Sequence, residues 1–257
     1  MRLLGQGAEL ARRSVLQTLR QPALVITPIA FPLILMAVNV CGLRAATELP
    51  GFPADSYLDF AIAFPFIQGS LFASINAGSA LARDVETGFL KRLALTPMQR
   101  AALLLGNLAG VMTVALLSAI VYLIAGFAAG LHFEAGAPGV LVMLLLALLI
   151  ALAFASLGAL IGLRTGSGEA VQGVFPLFFV LVFLSASSLP RDLIEHGWFR
   201  AIATINPVSY LFEGLRSLVI FGWDGEALAL GFGFALAIAA LGVLGASTAL
   251  RTRLVRT

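Results

Sequence analysis

Long apolar runs dominate the chain, and their lengths point to an architecture before any single residue does. Six stretches, at 22–43, 58–82, 101–130, 138–163, 171–189 and 228–250, are almost wholly apolar. A helix crossing the hydrocarbon layer needs about 20 such residues, so the pattern predicts six transmembrane helices. A seventh stretch, PVSYLFEGLRSLVIFG at 207–222, is short for a span and carries Glu213 and Arg216. Each would cost about 2.5–3.5 kcal/mol at a helix centre, so this stretch is read as a re-entrant or interfacial helix within an outer region, 190–227. Ahead of the first span, Leu4, Ala8, Ala11, Val15 and Leu19 share one helical face, while Gln6, Glu9, Arg13, Gln17 and Arg20 share another. That spacing predicts an amphipathic helix within residues 1–21, lying along a membrane surface. The expected fold is an all-α integral membrane protein, a single transmembrane domain over 1–257.

Composition agrees: the chain is 60% hydrophobic and 11% charged, with a mean hydropathy of +1.01, where soluble domains carry roughly 25% charged residues. Charge also orients the spans. With six crossings and the N-terminus inside, the inner side receives 12 of the 16 Lys and Arg residues, and the outer side only Arg44, Arg191, Arg200 and Arg216. By the positive-inside rule both termini are expected in the cytoplasm. A pI near 9.6 therefore reflects loop charge, and no nucleic-acid partner is expected. Cys41 is the only cysteine and supports no disulfide framework. The basic N-terminus has too long an apolar run for a cleaved signal, and VNVCG is a poor lipidation site, so no processing is expected.

Missing chemistry narrows the function. The sequence holds no G-x-x-x-x-G-K-[ST]; the glycine cluster GLRTGSGEA at 162–170 lacks the lysine and is read as a flexible inner loop. His132 and His196 fall in outer loops and no H-E-x-x-H occurs, so neither catalytic residues nor a metal site are expected. The span centres hold no acidic relay of the kind proton-coupled pumps use. Six spans without an energy source point to a partner that supplies one.

The segment RDVETGFLKRLALTPMQR (83–100) packs six charges into the first inner loop. Val85, Phe89, Leu93 and Met98 fall on one face of a short helix that Thr96-Pro97 would break. Its residues 84–97, DVETGFLKRLALTP, resemble the loop E-x-x-x-G-T-L-E-R-L-x-x-T-P of ABC-2-type transporter membrane subunits, in particular the daunorubicin-resistance-like export permeases. Gly88, Leu90, Arg92, Leu93, Thr96 and Pro97 match; Phe89 and Lys91 depart, where threonine and glutamate are common. A second stretch, FLSASSLPRDLIEHGWFRAIATINPVSYLFEGLR (183–216), is similar to the family's outer signature at Ser185, Pro190, Trp198, Asn206, Pro207, Tyr210, Glu213 and Arg216.

The resemblance implies a permease subunit of an ATP-driven exporter in the bacterial plasma membrane. Two such subunits, identical or related, would associate in the bilayer and meet two copies of a separate ABC ATPase. No cofactor would be bound directly, ATP and Mg lying on that partner. Arg83, Asp84, Glu86, Gly88, Phe89, Leu90, Arg92, Leu93, Thr96 and Pro97 would form the ATPase-coupling helix. Asn206, Pro207, Tyr210, Glu213 and Arg216 would belong to an outer lid, a re-entrant hairpin before the sixth span, with Glu213 and Arg216 spaced to pair with one another. The second and fifth spans would line the substrate path with Phe60, Phe64, Phe66, Gln68, Phe72, Asn76, Phe175, Phe178, Phe179 and Phe183, a lining suited to a hydrophobic drug-like compound or lipid. Alternatives are export of a lipid-linked polysaccharide, an ATPase-independent channel or secondary transporter, and an antibiotic-immunity membrane protein.

Overall fold

Among its described residues (11–16, 18, 20–89 and 100–255), the computed structural model of the chain is all-helical and contains no strand. Residues 11–16 are helical, and among the described residues nine α-helices follow: α1 (Pro22–Gly42), α2 (Tyr57–Ala61), α3 (Ala63–Glu86), α4 (Arg100–Ala128), α5 (Gly136–Thr165), α6 (Gly168–Phe183), α7 (Gly197–Ile205), α8 (Pro207–Ile220) and α9 (Gly225–Val255). Of the amphipathic pattern expected over 4–20, only residues 11–16, 18 and 20 lie within the described part.

Among the described residues, five stretches are long and apolar enough to cross a membrane: Pro22–Gly42, Tyr57–Glu86, Leu103–Ala128, Gly136–Thr165 and Gly225–Arg253. Their outward side chains, such as Ile26, Ile34, Ile124, Leu141, Leu236 and Leu241, are exposed, a liability in water but well matched to hydrocarbon. The chain is thus a multi-pass membrane protein. The run expected to span at 171–189 is helical only from Gly168 to Phe183. Sixteen residues reach about 24 Å, short of a hydrocarbon layer of about 30 Å. Beyond its end, the carbonyls of Ala186 and Ser187 accept from Arg216, and that of Ser188 from Tyr57.

The second apolar stretch is the axis of the bundle. Tyr57–Glu86 is mostly buried, whereas Pro22–Gly42 and Gly225–Arg253 are mostly exposed. Lipid tails are as apolar as leucine, so helices in a bilayer associate through close packing rather than by escaping water. α3 and α5 achieve this with glycine. A methyl group on Gly158 would run into the Ser74 carbonyl, one on Gly162 into the Gly78 carbonyl, and one on Gly78 would lie 2.6 Å from the Gly158 carbonyl. The GALIG segment (158–162) is a small-xxx-small seam that brings two backbones together. The same device joins α9 to its neighbours, with Gly231 against Gly214 of α8 and Gly242 against Ser156 of α5.

A second constraint is written into α1. Pro32 has no N–H, so the carbonyl of Pro28, four residues earlier, loses its helical donor. Tyr122 of α4, only 1% exposed, donates its hydroxyl to that carbonyl. Gly69 of α3 leaves room for the ring, since a methyl there would lie 2.8 Å from the Tyr122 oxygen. Three helices are tied at one point.

Loop ends are fastened by ordinary capping. Ser56, Ser167, Asn206 and Asp224 accept from the first amides of α2, α6, α8 and α9. Gly166, at φ +67, ends α5, and the turn to α6 takes only Gly166 and Ser167. The glycine cluster read as a flexible loop is therefore a tight helical corner. Arg253 of α9 closes it by donating to the carbonyls of Leu163 and Arg164.

Two outcomes follow. Gly158→Val or Gly162→Val should lower the unfolding midpoint in detergent by an amount equivalent to about 1–3 kcal/mol or more, whereas Gly233→Ala, facing open space, should leave it unchanged. Tyr122→Phe should cost about 1–2 kcal/mol. In a Pro32→Ala background, which restores an N–H to the orphaned carbonyl, the same change should cost markedly less, and a double-mutant cycle reads the difference.

Candidate functional site

The residues singled out from sequence fall into three groups along the bundle. At one end, Arg83, Asp84 and Glu86 do not sit in a loop as expected; α3 continues through Glu86, so they occupy its last turn. Glu86 accepts from the first amide of α6, Gly168, at 3.3 Å, a favourable place for an anion at a helix N-terminus. The chain then turns at Thr87 and Gly88, whose φ of +67 suits glycine. Phe89 follows, with the Arg13 guanidinium 5.1 Å from its ring centre. Because that turn separates Val85 from Phe89, the two do not continue one helical face. Leu90, Arg92, Leu93, Thr96 and Pro97 lie outside the described residues.

The second group is the expected substrate lining, and it is divided. Phe64 is buried against Phe212 of α8, with ring centres 5.9 Å apart. Gln68 is fully buried, and neither end of its amide has a hydrogen-bond partner among the described residues. Phe72 meets Phe31 of α1 and Phe175 of α6 at 5.8 and 5.7 Å. The file of rings continues along α6 from Phe175 through Phe179 to Phe183, while Phe178 turns inward onto Phe154. Asn76 lines a polar cleft near the Arg83 end. Phe72, Phe175, Phe179 and Phe183 thus form one partly exposed aromatic stripe, whereas Phe60, Phe64 and Phe66 belong to the interior.

The third group lies at the opposite end. Asn206 caps α8 and also donates from its side chain to the Leu181 carbonyl at 2.7 Å. Pro207 is the first residue of α8, where its missing N–H costs nothing. Tyr210 donates to the Thr204 carbonyl at 2.9 Å and stacks on Phe234 of α9, ring centres 4.7 Å apart. Glu213 and Arg216 do not pair with one another. Glu213 takes Arg191, 22 positions upstream, at 2.7 Å. Arg216 is buried and donates to the carbonyls of Phe60, Ala186 and Ser187, with its guanidinium carbon 3.5 Å from the centre of the Phe60 ring and 4.9 Å from that of Phe212.

That cage joins α8 to α2 and to the segment after α6. Burying a cation is costly unless its donors are used, and here three are bonded while two aromatic faces replace part of the lost hydration. Helical spacing could not reveal this, because an i, i+3 rule sees only partners on the same helix. Arg191 and Phe60 lie far away in sequence, and no local signal marks either. Tyr122 was also missed, although the four-residue spacing of Pro28 and Pro32 does flag an orphaned carbonyl that needs a donor.

The two ion sites should differ in mutational cost. Arg216→Lys, which cannot reach three carbonyls at once, should cost on the order of 3 kcal/mol. Arg191→Gln, which removes a pair about one quarter exposed on each side, should cost less than about 1 kcal/mol. Unfolding midpoints of the purified variants in one detergent check both.

Comparison with known proteins places this arrangement. The ABC-2 type transporter family matches residues 6–220. The chain is 26% identical over 156 residues, 61% of its own length, to a Mycobacterium tuberculosis protein named "Probable doxorubicin resistance ABC transporter permease protein DrrC". It is 25% identical over 173 residues, 64% of its length, to the daunorubicin resistance ABC transporter permease protein DrrB1 of Streptomyces coeruleorubidus. The matches span 55% and 58% of those relatives, little more than half of each. A Pyropia yezoensis protein named "Putative transport permease ycf38" is 28% identical over 219 residues, 84% of this chain and 74% of the relative. With an all-helical bundle, five helices able to cross a membrane and a family match over most of its length, the chain belongs to the ABC-2 type transporter family.

Proposed function

We propose that the chain is the membrane-spanning permease subunit of an ATP-driven exporter, moving a hydrophobic drug-like compound or a lipid outward. In this reading α6 is a short additional crossing, which makes six in all. Both termini face the cytoplasm, in accord with the loop arginines. α7 and α8 form a re-entrant outer lid. Two permease subunits meet in the bacterial plasma membrane, each with an ABC ATPase subunit docked at residues 83–97. ATP and Mg belong to that partner, and this chain performs no chemistry. The drug-resistance relatives favour an amphipathic or hydrophobic cargo, as does the aromatic stripe Phe72–Phe175–Phe179–Phe183.

The observation that carries the proposal is mechanical continuity along α3. Its Arg83–Glu86 end is where a partner would push. Its middle is locked backbone to backbone onto α5 at Gly78, Gly158 and Gly162, so it moves as a strut and does not bend freely. Its other end meets the lid directly, through Phe64 on Phe212, and α2 just before it does so through Arg216 on the Phe60 carbonyl. ATP binding can shift such a two-state machine only by its differential affinity for the two states. A strut joining the docking end to the lid is how that difference would reach the far side.

The test is purification of the chain from its native membrane in mild detergent, with an ATP analogue present, followed by reconstitution. Wild type should bring down a P-loop ATPase and move a hydrophobic dye in an ATP-dependent way. Gly88→Val strains the left-handed turn, and Phe89→Asp removes the apolar contact; each should lower transport by about an order of magnitude while the spans stay folded and ATP is still hydrolysed. Wild type emerging without an ATPase from several detergents would overturn the reading in favour of an ATPase-independent channel or an immunity protein.

A further inference from the structure

Near the Arg83 end, residues of the N-terminal segment (Arg13, Ser14 and Thr18), α1, α3 and α4 enclose a polar cleft of about 140 Å³. It lies within a single chain and is separate from the aromatic stripe. Three features of its wall call for a ligand. Pro28 has no N–H, so the carbonyl of Leu24, which lines the cleft, has lost its helical donor. Ser79 and Asn107 also line it, and the Ser79 hydroxyl and the Asn107 amide oxygen are buried without a hydrogen-bond partner among the described residues. An unsatisfied buried polar group costs about 1–3 kcal/mol. Finally, two arginines, Arg13 and Arg83, stand on the wall with one acid, Asp84, leaving a net positive charge.

The outer cavity beside Arg216 is larger, about 700 Å³, yet most of its charged groups are already engaged: Arg191 with Glu213, Arg200 and Arg216 with carbonyls, and Asp224 with backbone amides. Size alone asks for nothing; the smaller cleft has groups still to satisfy.

We infer that this cleft is a binding site for a hydroxyl-bearing phosphate, such as the headgroup of a glycerol-type phospholipid. The phosphate sits against Arg13 and Arg83, whose guanidinium groups match phosphate oxygens in pairs. The hydroxyls point inward, donating to the Leu24 carbonyl and the Asn107 amide oxygen and accepting from Ser79 once that side chain rotates about its single χ1 bond. Asp84 offsets one of the two positive charges, and the inward-facing acceptors favour a polyol over a bare phosphate. The site goes beyond the permease reading and holds whether or not an ATPase docks on this chain.

The test uses the full chain, delipidated in detergent, and native mass spectrometry with four probes: phosphatidylglycerol, phosphatidic acid, phosphatidylcholine and free glycerol phosphate. Phosphatidylglycerol should bind more tightly than phosphatidic acid, and both more tightly than phosphatidylcholine. Ser79→Ala with Asn107→Leu should erase the preference for phosphatidylglycerol over phosphatidic acid. Arg13→Gln, a surface change that leaves the spans alone, should weaken both anionic lipids together. Displacement of phosphatidylglycerol by glycerol phosphate would assign the site to a soluble polyol phosphate, and its failure to displace would assign it to a lipid. Equal binding of phosphatidylglycerol and phosphatidylcholine, or a preference over phosphatidic acid that survives both variants, would overturn the site.

Discussion

The rest of the bundle depends on how closely α3 and α5 approach. With glycine at 78, 158 and 162, two carbonyl-bearing backbones lie in contact, and no larger residue fits between them. In a bilayer that contact replaces the hydrophobic drive a soluble core would enjoy. It also fixes where everything else goes. α3 is buried because α5 covers one flank, while α1, α4, α6 and α8 take what remains. α9 then seats on α5 through Gly242 and returns Arg253 to the end of the same helix. One seam therefore sets the positions of both the Arg83 end and the Arg216 end.

Much of this was legible from the chain itself. Length and polarity gave the apolar helices, and the short reach of 207–222 is matched by a 14-residue α8. The family was legible too, from the Gly88 to Pro97 loop and the Asn206 to Arg216 stretch taken together. Contacts between distant residues were another matter. Gln68 read as a lining residue because amides avoid lipid; the structure agrees that it avoids lipid, but buries it inside one chain. Glu213 and Arg216 read as partners because three residues separate them, yet each is held by groups that the sequence places elsewhere.

Some of what escaped the first reading was nonetheless present. GALIG is a G-x-x-x-G motif in an apolar run, and its meaning is that another backbone lies against it. Pro28 and Pro32 at helical spacing announce two carbonyls without donors, and a tyrosine inside an apolar span is the natural candidate to serve one of them. Arg191 is different. Nothing near it in sequence indicates Glu213 or the Tyr210 ring, which it approaches to 4.7 Å. Only the folded arrangement of α8 brings them together.

The Arg216 cage has a consequence for the conditions under which α8 stays attached to α2. Its acceptors are peptide carbonyls, and carbonyls neither titrate in the biological range nor carry a counter-charge for dissolved ions to screen. The attachment of α8 to α2 thus rests on hydrogen bonds whose acceptors neither acid nor salt removes. The neighbouring Arg191–Glu213 bridge, partly exposed and ending in a carboxylate, is sensitive to both. Two attachments on one helix therefore differ in kind: Arg216 is held by peptide carbonyls, and Arg191 by a carboxylate whose charge the surrounding medium can weaken.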